Sequence, residues 1–169
     1  MHSTKHADGR WYALRVRSRC EKLLQVYLIG IGYQSCLPTY RARRQWMDQV
    51  KNIELPLFPG YVFCKFDFSE SLQLFRMPTG ISNVTCGNPL VAVDDADVLA
   101  VQRIVHSGLI YGPGPFPTSS QRISIQDGPL TGLEGNLLES DGCSRILVSV
   151  KVLRRSVAAQ VNEHCFVSV

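Results

Sequence analysis

The chain has 169 residues and a mass of 18.9 kDa, room for one ordinary domain or two small ones. With 45% hydrophobic and 19% charged residues it is too apolar for a disordered chain, and no run of about 18 apolar residues offers a membrane span. The net charge is only +4, but residues 1–108 hold 13 basic and 9 acidic side chains whereas residues 109–169 hold 5 of each. The excess gathers at Arg15, Arg17, Arg19 and Lys22 and again at Arg41, Arg43 and Arg44, and clustered charge sets a local field even where the net charge is small. The polar start, Met1–Arg10, has no apolar core for a secretory signal. Residues 1–9 are therefore expected as a flexible tail, and the protein as cytoplasmic.

After Trp11, the segment to Arg17 alternates: Tyr12, Leu14 and Val16 face one way, Ala13, Arg15 and Arg17 the other, which predicts a half-buried strand. From Glu21 to Ile31 the apolar positions Leu23, Leu24, Tyr27, Leu28 and Ile31 read as one helical face, ended by Gly30 and Gly32. Tyr33–Tyr40 reads as a second strand, the polar and basic stretch Arg41–Val50 as an exposed loop or hairpin, and Ile53–Leu57 as a returning strand. Phe58-Pro59-Gly60 is a turn, because proline fixes φ and glycine takes φ > 0. Tyr61–Phe68 is the strongest strand pattern in the chain. A short helix follows Ser69, a short strand spans Val84–Cys86, and a helix from about Ala96 to His106 carries Val98, Val101, Ile104 and Val105 as its stripe. The order implies an α+β N-terminal domain over 10–107, an antiparallel four-stranded sheet with flanking helices.

Gly108–Gln121 is rich in Gly, Pro and Ser and reads as a semi-stiff linker. Residues 122–169 read as short strands near Ile123, 136–139, 146–150 and 157–161, separated by turns such as Asp141-Gly142, which predicts a small five-stranded all-β barrel. The six cysteines, at 20, 36, 64, 86, 143 and 165, have no metal-ligand spacing. There is no phosphate-binding loop, nucleophile elbow or dinucleotide fingerprint. No enzyme activity, metal or cofactor is expected.

Two motif sets stand out. The segment Asp127-Gly128-Pro129-Leu130-Thr131-Gly132-Leu133-Glu134-Gly135 spaces three glycines by four and three, suiting a tight turn, a close backbone approach and a second turn. Preceded by Ile123-Ser124-Ile125, it resembles the KOW motif of NusG-family factors and of some ribosomal proteins. Independently, Trp11-Tyr12-Ala13-Leu14, then Arg19-Cys20-Glu21-Lys22, Leu37-Pro38 and Leu55–Phe63 resemble, in order, the N-terminal (NGN) domain of the NusG family. Met77-Pro78-Thr79-Gly80-Ile81 is similar to that domain's post-helix segment, and the resemblance runs over roughly 11–167. The stretches Arg41–Trp46 and Phe58–Phe66 look more like the specialised RfaH-like paralogues, antiterminators found near polysaccharide gene clusters, than like housekeeping NusG.

The resemblance implies a monomeric transcription elongation factor of NGN (10–107), linker (108–121) and KOW (122–169). Phe58, Tyr61 and Phe63 would form an exposed apolar hollow receiving the clamp helices of RNA polymerase, Tyr61 and Phe63 sharing one sheet face by their i, i+2 spacing. Arg17, Arg19, Arg41, Arg43 and Arg44 would lie near the non-template DNA, with Trp46 stacking on an unpaired base. In the KOW module, Gly128, Pro129, Leu130, Gly132, Leu133 and Gly135, with Ile146 and Leu153, are the motif and candidate partner surface, for ribosomal protein S10 or the termination factor Rho. The alternatives are a housekeeping factor acting with Rho, and a KOW-type ribosomal or RNA-binding protein; balanced charge in the C-terminal part argues against the latter, because phosphate binding needs cations. Some specialised relatives refold the KOW domain into a helical hairpin; Val148, Val150, Val152, Val157 and Val161 favour the β form here.

Overall fold

A computed structural model of the chain describes residues 9–67, 69 and 91–169. The helix expected after Ser69, the strand Val84–Cys86 and the segment Met77–Ile81 lie outside the described residues. Contacts divide the chain into two compact units, Met1–Leu37 with Phe58–Asp95, and Pro38–Leu57 with Ala96–Val169.

The first unit is built on a four-stranded antiparallel sheet of β1 (Arg10–Arg15), β2 (Gln34–Cys36), β5 (Tyr61–Phe66) and β6 (Ala92–Val93), in the order β2-β5-β1-β6. Helix α1 (Glu21–Gly30) crosses between β1 and β2. The β1–β5 register sets Tyr12 against Cys64 and Leu14 against Val62. These residues, with Val16 and Phe66, form the face on which Leu24 and Leu28 of α1 pack. Tyr12 and Phe66 stack with ring centroids 4.5 Å apart. Period-two alternation in β1 and the helical spacing of Leu24 and Leu28 therefore meet in one core. The other face is not left open: Trp11 is buried, and so is Phe63 opposite Ala13. The half-buried strand expected from alternation is thus covered on its second face at Trp11, half-covered at Ala13 and open at Arg15.

The second unit contains a projecting hairpin, β3 (Thr39–Trp46) with β4 (Gln49–Pro56), closed by the two residues Met47-Asp48. Arg41–Val50, open between loop and hairpin in the sequence, is thus regular strand on both sides of a tight turn. Helix α2 (Asp95–Val105) buries Val98, Ala100, Val101 and Ile104, close to the expected stripe. The remainder is a six-stranded antiparallel sheet, β12-β8-β9-β10-β11-β7. Its strands β8 (Arg122–Ile125), β9 (Glu134–Ser140), β10 (Cys143–Val150) and β11 (Arg155–Gln160) answer to the four spans read from the sequence, β12 (Phe166–Ser168) is a fifth that reading did not place, and the sixth is β7 (Tyr111–Gly114), so the expected five-stranded barrel is a six-stranded sheet. That strand lies inside the stretch read as linker. It occupies a sheet edge, paired only with β11, where Pro113 can lack its N–H without breaking a second ladder. The C-terminal part is all-β apart from two single 3-10 turns, as its β-branched residues imply.

Two hydrogen-bonded details define this unit. Tyr111 of β7 donates its hydroxyl to the Thr39 carbonyl at 2.7 Å, and the Tyr40 ring lies against Gly112, so the base of the hairpin is fastened to β7. In the 127–135 loop, Gly132 N–H donates to the Ile125 carbonyl at 2.7 Å and Ile125 N–H to that of Leu133 at 2.9 Å. Gly128 (φ +91°) and Gly132 (φ +82°) make the two turns, and the close approach falls at Gly135 instead of Gly132. A Cβ at Gly135 would sit 2.5 Å from the Leu147 carbonyl oxygen and 2.7 Å from Ile146 Cγ1.

Gly135→Ala is accordingly expected to destabilise the protein by about 1–3 kcal/mol, since a backbone oxygen cannot give way cheaply; urea unfolding of the full chain measures it. Burial first, and then the charge of Glu54 against a smaller opposing effect of Arg41, raise the Tyr111 pKa above the ordinary tyrosine value. The unfolded chain then loses this proton at lower pH than the folded one, so the contribution of Tyr111 is intact at neutral pH and declines as pH climbs past the ordinary tyrosine range. Tyr111→Phe should cost about 1 kcal/mol at neutral pH through the lost hydrogen bond and flatten the alkaline limb of a stability–pH curve.

Candidate functional site

The turn Phe58–Gly60 is where the sequence concentrates its aromatic candidates. Gly60 adopts φ +82°, and its carbonyl accepts from Val16 N–H at 2.8 Å while its own N–H donates to Glu21 Oε1 at 2.9 Å. Tyr61 N–H closes the turn on the Phe58 carbonyl at 3.1 Å. Glu21, only 4% exposed, therefore ties the start of α1 to the turn that launches β5. As a sequence feature it reads as an ordinary first-turn acid; its partner, 39 residues away, emerges only once β1 and β5 are paired.

The aromatic hollow built on Phe58, Tyr61 and Phe63 is corrected by this geometry. Phe58 and Phe63 are each 1% exposed and meet edge to face, centroids 5.5 Å apart and planes at 86°. They interlock as core, so two of the three rings offer no open surface. Tyr61 alone stays half-buried at the surface, directly across the ladder from exposed Arg15. Phe63 shares the face of Tyr61, as their i, i+2 spacing implies; what alternation cannot tell is whether that face is covered.

The hairpin sorts its basic residues by parity. Cross-strand partners share a face, so Arg41 lies with Glu54 and Arg43 with Asn52 on one side. On the other, Tyr40 with Leu55 and Ala42 with Ile53 form a half-buried base, followed outward by Arg44 opposite Lys51 and then Trp46 opposite Gln49. Like charges directly opposite repel, and no acidic side chain shares that outer half-face among the described residues. Trp46 is 71% exposed, and Met47 at the tip holds φ +51°. Arg41, Arg43, Arg44 and Trp46 thus do not act as one patch: Arg44 and Trp46 belong together with Lys51, which sequence reading passed over, while Arg41 faces a carboxylate on the reverse side. Arg17 and Arg19 belong to the other unit, in the exposed turn before α1, with Arg19 at φ +73°.

In the KOW-like loop, Leu130, Leu133 and Ile146 are buried and fill the sheet's core, so they do not form the partner surface expected of them. Gly128, Pro129 and Gly132 are exposed, Gly135 is buried, and Leu153 is half-buried at the end of the 3-10 turn Lys151–Leu153. Arg103 of α2 donates from Nη2 to the Thr131 carbonyl at 2.7 Å and the Pro129 carbonyl at 3.4 Å, so this loop is held by α2 within the second unit. Among the described residues no group of three or more His, Cys, Asp or Glu is placed to hold a metal ion, and no helix is long and apolar enough to cross a membrane. Replacing Glu21 by Ala leaves the Gly60 N–H without its acceptor; a loss of about 1–3 kcal/mol is expected in urea unfolding, and Glu21→Gln, which keeps an acceptor oxygen, should recover most of it.

Comparison with known proteins follows the same lines. The family model described as transcription termination factor NusG matches residues 9–102, more than half of the chain. A solved structure of Thermotoga maritima NusG, described in terms of its domain interaction, matches with a TM-score of 0.55 at 15% identity, covering 96% of this chain and 98% of that one. No curated protein matches. The unit built on β1, α1 and the Phe58–Gly60 turn falls largely within the matched span, and the chain belongs to the NusG family of transcription elongation and termination factors.

Proposed function

We propose that this protein is a specialised NusG paralogue that binds RNA polymerase through its N-terminal module (10–107), contacts the displaced non-template DNA strand with its hairpin, and promotes processive elongation as an antiterminator. The observation that carries the reading is the outer half-face of the β3–β4 hairpin, where Arg44, Lys51 and the exposed Trp46 share one face with no acid among the described residues. Two cations suit phosphates, and an indole offers a stacking platform for an unpaired base of any sequence. Successive same-face residues on a strand are about 6.6 Å apart, a spacing compatible with neighbouring nucleotides of an extended single strand. The specialised role rests on the likeness of Arg41–Trp46 and Phe58–Phe66 to RfaH-like factors. Polymerase docking centres on Tyr61, with Phe58 and Phe63 fixing the shape of the surface from beneath. The action is a population shift toward the processive state of the enzyme and not chemistry; about 1.4 kcal/mol of preference changes a pausing equilibrium tenfold. The C-terminal module (122–169) recruits a second partner, ribosomal protein S10 or Rho, by its exposed Pro129 and Gly132 turns, in a cytoplasmic setting and without a cofactor.

Fluorescence anisotropy with a short single-stranded DNA tests the hairpin, and co-purification with polymerase tests docking. Trp46→Ala should cost about 1–3 kcal/mol of single-strand affinity, and Arg44→Ala or Lys51→Ala should each flatten the salt dependence, with Arg43→Ala on the reverse face nearly silent. Tyr61→Asp should abolish polymerase association with unfolding unchanged. Equal losses from Arg43 and Arg44 would sink the face assignment; undiminished polymerase capture by Tyr61→Asp would sink the docking surface.

A further inference from the structure

Helix α1 is apolar on two sides. Its inner side, Leu24 and Leu28, is spent on the sheet. Its outer side carries Leu23, Val26 and Ile29, exposed by 53, 60 and 56%. At three-residue steps these form one oblique stripe about 9 Å long. Gly30 flattens the surface beside the stripe, with nothing within 4 Å of where its Cβ would stand. A surface helix normally presents polar residues there, and the three side chains stay exposed instead of joining the core built on Leu24 and Leu28.

The charge around the stripe is one-sided. Lys22 shares its outer face at the N-terminal end, and Arg17 and Arg19 stand in the exposed turn just before. Glu21, the one acid of this helix, points inward and is held by Gly60 N–H. None of the three cations makes an ion pair among the described residues. They crowd the positive end of the helix dipole, where cations are disfavoured, while the last turn has no basic residue. Arg19 is also held in the left-handed region, a strained conformation for a side-chain-bearing residue.

We infer that the outer face of α1 docks an acidic amphipathic helix of a partner protein, whose apolar side chains cover Leu23, Val26 and Ile29 and whose carboxylates meet Lys22, Arg19 and Arg17. An aliphatic stripe with a glycine beside it suits ridge-into-groove packing against a second helix. It offers no ring for a nucleic-acid base to stack on. A second copy of the chain would bring the same uncompensated cations, and α1, with Lys22 its one exposed charge, has no strongly charged face of the kind a membrane-surface helix carries. The inference takes Arg17 and Arg19 for this partner and leaves the DNA reading to the hairpin; it does not rest on that reading or on polymerase docking.

The test titrates isotope-labelled full-length protein with a synthetic helix bearing leucines at i, i+3, i+4 and i+7 and glutamates elsewhere, beside a counterpart with lysine for every glutamate. The acidic peptide should shift the amides of residues 22–31 saturably, and the basic one should not. Val26→Glu, at a position exposed enough to leave thermal unfolding unchanged, should abolish the shifts. Arg19→Glu with Lys22→Glu should weaken the acidic peptide at least tenfold and admit the basic one. Equal binding of both peptides, shifts that map elsewhere or no binding at all would overturn the inference. So would a concentration-dependent dimer abolished by Val26→Glu, or co-sedimentation with phosphatidylglycerol vesicles lost in that variant, since either gives the face a different occupant. Polymerase co-purification of Val26→Glu, expected to be unchanged, keeps this result separate from the docking of Tyr61.

Discussion

A buried carboxylate meeting one backbone N–H organises the first unit. Glu21 begins α1, Gly60 ends the turn before β5, and their 2.9 Å contact fixes the helix, the turn and the strand to one another. Around it, Val16 N–H reaches the Gly60 carbonyl, closing the far end of β1 onto the same residue. An isolated buried carboxylate is costly, and hydrogen bonds to its charged form offset that cost. A glycine at this point gives the left-handed backbone that the turn requires. The positions of Phe58, Tyr61 and Phe63 all inherit this arrangement.

Much of this was legible in the amino-acid sequence, because period two and period 3.6 are imposed by local geometry. The alternation of Tyr12, Leu14 and Val16 and the bounds of the helix, Glu21–Gly30 against the expected Glu21–Ile31, match the structure within a residue or two, but of the apolar face read for that helix only Leu24 and Leu28 are fully buried, while Leu23 and Ile31 are exposed. The glycines of the 127–135 loop were legible as backbone requirements, although which one served the close approach depended on where β10 passes. Coverage was not legible. Phe63 and Tyr61 have the same parity, yet one is core and the other half-exposed, since burial depends on what packs over a face and not on the strand itself. The same holds for Leu130, Leu133 and Ile146, which were as apolar as a docking surface needs and turned out to be the inside of the sheet.

The hairpin shows the opposite case, in which one missing assignment hid several consequences. With Arg41–Val50 open between loop and hairpin, three arginines and a tryptophan looked like a single basic cluster. Once the two-residue turn at Met47-Asp48 sets the register, parity alone separates Arg41 and Arg43 from Arg44 and Trp46 and brings Lys51 alongside. A strand hairpin is also a stiffer mount than a loop, because each rung constrains its neighbours, so the outer cations keep their spacing without help from packing. The face of Arg41 and Arg43, which includes Glu54, and the face of Arg44 and Lys51, which has no acid among the described residues, then give one thin element two electrostatic characters.

The strand β7 changes what the Gly- and Pro-rich connector can do. Read as a semi-stiff tether, 108–121 would be a fourteen-residue spacer between the modules it joins; with Tyr111–Gly114 laddered to β11, only residues 106–110 separate the end of α2 from the sheet. Freeing that connection means peeling a rim strand away, which bares the main-chain groups of β11 to any extended segment able to replace it. The replacement nearest to hand is the corresponding tetrapeptide of a sister molecule, so the fold carries a latent route to strand exchange whose barrier is set by four rungs of backbone pairing.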